Sequence, residues 1–135
     1  MKKTISTILL SAILFLLCAC SVEQTSVEKI RDIEFTVTEE KNIPEGLKSM
    51  MEEKEGAPFK LTYADQGALY IAESYGEKPT SGYSIEVKEC FETQNAIYLH
   101  TNLIGPAKDE LIVDEKTYPY IVIKMEFIDK NVVFQ

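Results

Sequence analysis

From Phe59 onward, apolar residues recur at every second position. Phe59, Leu61 and Tyr63 alternate with Lys60 and Thr62, and Leu69 and Ile71 with Tyr70 and Ala72. Tyr83, Ile85 and Val87 alternate with Ser84, Glu86 and Lys88; Ile97, Leu99, Thr101 and Leu103 alternate with Tyr98, His100 and Asn102. Successive side chains of an extended strand point to opposite faces, so this period belongs to half-buried strands and does not suit a helix. Turn formers separate the runs at Asp65-Gln66-Gly67, Thr93-Gln94-Asn95 and Asp129-Lys130-Asn131. Strands joined so closely favour antiparallel pairing. Leu111-Ile112-Val113 reads as a further short strand, and Ile121–Phe127 with Val132-Val133-Phe134 reads as a closing hairpin. Nothing repeats at a fixed longer period, which argues against a solenoid.

Upstream, Ile33, Phe35 and Val37 alternate with Glu34 and Thr36, which predicts one more strand. Asn42-Ile43-Pro44-Glu45 reads as a helix start, with Asn42 or Ile43 near the cap and Pro44 in the first turn. Leu47, Met50, Met51 and Lys54 then follow at helical spacing until Gly56 and Pro58 stop the run. The 135 residues allow one domain. The expected fold is mainly β, or α+β at most: an antiparallel β-sandwich or curled sheet with one short amphipathic helix near residues 44–55.

The first nineteen residues have a different character. Lys2 and Lys3 precede the uncharged run Ile8–Leu17, which is too short to span a membrane and has the charge order of a secretory signal peptide. Leu17-Cys18-Ala19-Cys20 resembles the bacterial lipobox, in which an aliphatic residue and two small residues precede the cysteine that is lipidated. This reading makes 1–19 a lipoprotein signal peptide, Cys20 the lipidated residue, 20–30 a polar tether and 31–135 the domain. It places the protein outside the cytoplasm, held to a membrane by acyl chains whose buried methylenes contribute about 0.8 kcal/mol each. With Cys18 removed and Cys20 blocked, Cys90 is the remaining thiol, so the domain relies on its packed core rather than on a disulfide.

Charge and motifs narrow the function classes. Acidic residues number 22 and basic ones 14, for a net charge of -8, which sets the surface against a phosphate backbone and argues against a nucleic-acid partner. No HExxH, GxSxG, Walker A or CxxC pattern occurs. The carboxylates of Glu39-Glu40, Glu52-Glu53-Glu55 and Asp109-Glu110 lack the alternation of a calcium loop, so no metal or cofactor is expected. If Val87 faces Thr101 across a hairpin, Cys90 and His100 become diagonal neighbours about 7–8 Å apart. A thiol dyad is then geometrically open. The acidic surroundings oppose it, because a reactive thiol needs an electropositive environment. The expectation is that both residues sit on the less buried face and that the protein is not an enzyme.

The segment Lys78-Pro79-Thr80-Ser81-Gly82-Tyr83-Ser84-Ile85, followed by Gly105-Pro106 and Tyr118-Pro119-Tyr120-Ile121-Val122-Ile123, resembles the PrcB C-terminal domain family in order and rough spacing over residues 64–125. Ser81 stands where a second glycine is common. That family takes its name from a lipoprotein subunit of a spirochaete surface protease complex, where it accompanies a subtilisin-like protease. The resemblance implies an extracytoplasmic, non-catalytic domain that associates with another protein, with an extracytoplasmic protease or envelope complex as the partner. Pro79-Thr80-Ser81-Gly82-Tyr83 and Tyr118-Pro119-Tyr120 are also similar to two loops of chagasin-type cysteine-protease inhibitors, which makes a protease inhibitor the second reading. The Gly-rich middle loop of those inhibitors is absent. On either reading the binding residues are Pro79, Thr80, Ser81, Gly82, Tyr83, Tyr118, Pro119 and Tyr120. Tyrosine supplies large contact area with a polar tip, and rigid proline limits the entropy lost on binding.

Overall fold

The computed structural model describes residues 27–135. The expected signal peptide (1–19), Cys20 and most of the expected tether (20–30) lie outside that range. Among the described residues, eight strands run in chain order: β1 (Lys29–Asp32), β2 (Thr36–Val37), β3 (Phe59–Asp65), β4 (Ala68–Ser74), β5 (Ser84–Thr93), β6 (Ala96–Ile104), β7 (Tyr120–Glu126) and β8 (Asn131–Phe134). They form two four-stranded sheets, β1-β5-β6-β8 and β2-β7-β4-β3. One helix, α1 (Glu45–Glu52), follows a short 3-10 turn at Glu40–Asn42. The mainly β sandwich expected from the periodicity is what the chain forms.

The core has two layers. Leu69, Ile71, Ile121, Ile123 and Met125 meet Cys90, Ile97 and Leu99 between the sheets. On the other face of β4 and β7, Ala68, Tyr70, Ala72 and Val122 pack with Ile43 and Leu47. β4 is therefore buried on both faces along its whole length. The helix is shorter than expected at both ends. Pro44 is its N-cap residue, because the preceding 3-10 turn uses residues 40–42 and leaves Ile43 as a buried plug. Glu55 and Gly56 have φ of 49° and 80°, left-handed values that prevent the helix from continuing.

Three expected elements differ. The strand expected over Ile33–Val37 is a strand only at Thr36–Val37, because β1 ends at Asp32 in the other sheet and residues 33–35 bridge the two. Ile33 donates to the Cys90 carbonyl at 2.9 Å and is buried, so the chain crosses between the layers there. Alternation carries no sign of that crossing, because Ile33 and Phe35 both pack on the inter-sheet core while Val37 is 62% exposed. The expected closing hairpin is also a crossing. β7 lies in one sheet, and β8 joins the other by pairing parallel to β6. The Lys130 ammonium draws the connection over, donating to Glu92 Oε1 at 2.7 Å and to the Thr93 carbonyl at 2.8 Å. Leu111-Ile112-Val113 is not a strand at all and lies in an exposed loop.

Glu92 joins three segments of the chain. It accepts from Lys130 and, at 2.6 Å, from Arg31 of β1. Lys130 first, and then Arg31, hold its carboxyl below the usual carboxylate range. A carboxyl depressed on folding adds stability above its unfolded pKa, and that stability is lost as the pH falls through the folded value. Denaturant titrations should therefore show stability declining below about pH 4.3, the ordinary glutamate value. Glu92→Gln should flatten that acid limb while lowering stability near neutrality. An unchanged acid limb in the variant would assign the decline to other carboxylates.

Candidate functional site

Two connections cross between the sheets at one end of the sandwich. Residues 75–83 link β4 to β5, and residues 105–119 link β6 to β7. They are bound to each other. Lys78 and Thr117 exchange both backbone hydrogen bonds, at 2.8 and 3.0 Å. The Thr117 hydroxyl donates to the Thr80 carbonyl at 2.6 Å. Ser81 donates its backbone N–H to the Val113 carbonyl at 3.1 Å, and Val113 returns its N–H to the Ser81 hydroxyl at 2.8 Å. Lys116 adds an ion pair to Glu77 at 2.9 Å, and the Tyr118 hydroxyl donates to the same carboxylate at 3.3 Å. Lys116, and to a lesser degree Tyr118, hold the Glu77 carboxyl below its ordinary value.

Gly82 sits at the tightest point of this crown. Its φ is 90°, and a Cβ there would stand 2.8 Å from the Pro106 Cβ and 3.3 Å from the Glu110 carboxylate. Residue 82 is glycine both for its backbone angle and because the second loop passes directly over it. Tyr83 is half-buried, with its ring beside Gly105, and so packs the first loop against the exit of β6. Pro79 is exposed, while Thr80 and Ser81 are half-buried.

The second predicted segment is divided. Tyr118 is 49% exposed, with its ring beside Gly56. The Pro119 carbonyl accepts from the Ser74 hydroxyl at 2.9 Å. β7, which follows Pro119, is an inner strand of its sheet. Tyr120 is 41% exposed and shares the helix-facing side of β7 with Val122. Partial burial, with Glu40 nearby, raises its phenol above the ordinary value. The stretch that grips Pro79–Gly82 is therefore Val113–Thr117, with Tyr118 beside it and Tyr120 turned toward α1. Sequence reasoning missed Val113, Lys116 and Thr117. The one available signal was Ser81, the departure from the family pattern, whose hydroxyl receives the Val113 N–H.

Tyr75, the first residue of the β4–β5 connection, serves the interior. Its hydroxyl lies 2.7 Å from Thr101 Oγ1, and Thr101 donates its proton to the buried Glu73 at 2.8 Å. A threonine hydroxyl has one proton, so Tyr75 is the donor in this chain.

Cys90 and His100 do not form the diagonal pair expected of them. Val87 does face Thr101, but a bulge between Val87 and Glu89 shifts the register, so Glu89 faces His100 and Cys90 faces Leu99. A slip of one residue sends a side chain to the opposite face. Cys90 lies in the inter-sheet core, not on the less buried face expected of it, and burial pushes its thiol up to about 11. His100 is on the exposed outer face. The two side chains are on opposite sides of the sheet and cannot exchange a proton. Among the described residues, no group of three or more His, Cys, Asp or Glu side chains is placed to hold a metal ion, and no helix is long and apolar enough to cross a membrane.

Comparison with curated proteins and with solved structures gives no significant match. Residues 69–126 match the family described as PrcB C-terminal. That stretch runs from β4 to the end of β7 and contains both interlocked loops. By this match, β4 to β7 and the crown between them are similar to the PrcB C-terminal family.

Proposed function

We propose that this chain is a bacterial cell-envelope lipoprotein whose sandwich binds another protein without catalysing a reaction, through the crown built from residues 77–83 and 105–120. The partner is an extracytoplasmic protease or an envelope complex of which one is part. The observation that carries this reading is a pre-ordered loop pair that leaves apolar side chains in water. Five hydrogen bonds join Lys78, Thr80 and Ser81 to Val113 and Thr117, while Val113, Tyr118 and Tyr120 remain 58%, 49% and 41% exposed. These bonds hold the two loops to each other before association, which reduces the entropy lost on docking. Tyrosines in such a setting are frequent hot spots.

The test is capture of a partner from detergent-solubilised envelopes, followed by affinity measurement on the purified pair. Thr80→Lys and Tyr118→Ala should each weaken binding by about 2 kcal/mol or more, near thirtyfold. Their melting temperatures should stay close to that of the parent protein. A loss of affinity that merely tracks a loss of stability would reassign both residues to a structural role. If the captured protein is a protease, cleavage of a peptide substrate slowed by the purified chain would identify it as an inhibitor.

A further inference from the structure

The crown carries an apolar point with a charged border. The sequence Lys108-Asp109-Glu110-Leu111-Ile112-Val113-Asp114-Glu115-Lys116 sets three aliphatic residues between two acidic pairs. Leu111 is 98% exposed and Ile112 48%. Both flanks are fixed. Glu110 donates its backbone N–H to the Ala107 carbonyl at 3.1 Å, and Ala107 returns its own N–H to the Glu110 carboxylate at 3.0 Å. Val113 is held by its two bonds to Ser81. Leu111 and Ile112 are thus the unsupported span between two clamped points, presented outward. The positive end of the border is partly spent, because Lys116 pairs with Glu77. Asp109, Glu110, Asp114 and Glu115 leave the border acidic.

We infer that Leu111 and Ile112 insert into an apolar cleft on a protein partner whose rim carries Lys and Arg side chains. An apolar centre with a polar border is the anatomy of a protein interface, and opposite charge at the rim sets orientation and encounter rate. The same border disfavours the two other occupants. A second copy would bring two acidic rims together, and an anionic lipid surface would repel them. This inference rests on the protein-binding reading above and adds the anchor residues and the chemistry of the surface they meet.

The test places a photo-reactive benzoylphenylalanine at Ile112, and separately at Pro79, in the full chain expressed in its own cells, with adducts mapped by mass spectrometry. The expected result is an adduct from position 112 whose cross-linked partner peptide lines an apolar cleft flanked by Lys or Arg. Asp109→Lys with Glu115→Lys should lower its yield at least tenfold, and so should Leu111→Ser, whereas Leu111→Met should retain it. These side chains are exposed, so melting temperature serves as the control for folding. An adduct from 112 that survives rim reversal, or that forms only with lipid or with a second copy, overturns the inference. An adduct from 79 with none from 112 overturns it and leaves the protein-binding reading standing. Adducts from neither position overturn both.

Discussion

Ile123→Ala should destabilise the domain by about 2–5 kcal/mol, the range for truncating a fully buried aliphatic residue. Ile123 is 0% exposed and lies in β7, paired with Ile71 of β4 on one side and Val37 of β2 on the other. It contributes to the cluster that joins the two sheets. A shortened side chain there leaves a cavity that two hydrogen-bonded neighbours cannot easily collapse to fill. For a domain near 100 residues each kcal/mol moves the melting temperature by about 4–8 °C, so a drop of about 8–40 °C is expected. Thermal unfolding followed by circular dichroism measures it. A shift of a degree or two would mean that the inter-sheet layer is not the principal core. Leu47→Ala probes the other layer, beneath α1, and should cost a comparable amount.

Cys20→Ala should abolish fatty-acid labelling of the protein in cells and move it from the membrane fraction to the soluble one. The expectation follows from the proposed lipoprotein reading of Leu17-Cys18-Ala19-Cys20, in which every acyl chain is carried by the one residue Cys20, two through its sulfur and any third on its amino group. Losing two or three acyl chains removes dozens of buried methylenes at about 0.8 kcal/mol each, so partitioning changes from stable to negligible. Labelling that persisted in the variant would refute the lipoprotein reading and leave the sandwich itself unaffected. Cys90 offers an internal control. Its buried thiol, pushed up to about 11, should not take up a label in the folded protein.

The strands were legible because burial on one face imposes a period of two, and the tight turns because they need particular residues. Gln66 and Gly67, with φ of 48° and 78°, form the left-handed turn that Asp65-Gln66-Gly67 announced. Crossings between sheets were not legible. Ile33 and Phe35 keep their alternation while the chain changes layer, and β8 reads as the return arm of a hairpin until Lys130 is seen to bind Glu92 and Thr93. The bulge beside Lys88 left no local mark either, yet it decides that Cys90 faces Leu99 and not Tyr98. The candidate site was legible where it depends on Pro79, Gly82 and their neighbours. Its other half depends on contacts spanning 32 and 37 residues, from Val113 to Ser81 and from Thr117 to Thr80. An aliphatic triplet such as Leu111-Ile112-Val113 looks like a strand locally, and a distant serine and threonine hold it out as a loop.

β1 enters beside the hairpin turn, with Lys29 opposite Thr93, whereas the interlocked loops adjoin Ser84 at the other end of β5. Ten residues of strand at about 3.3 Å each separate those ends by roughly 30 Å. Residues 20 to 29 can extend at most about another 30 Å. If Cys20 carries the proposed lipid, the tether enters at the end of the sandwich far from the crown, and the crown can stand as much as about 60 Å from the bilayer. That height selects among neighbours. On that reading a protein lying flat on the same membrane would pass beneath the raised crown, while a soluble enzyme, or one whose ectodomain stands as tall, would meet it head-on.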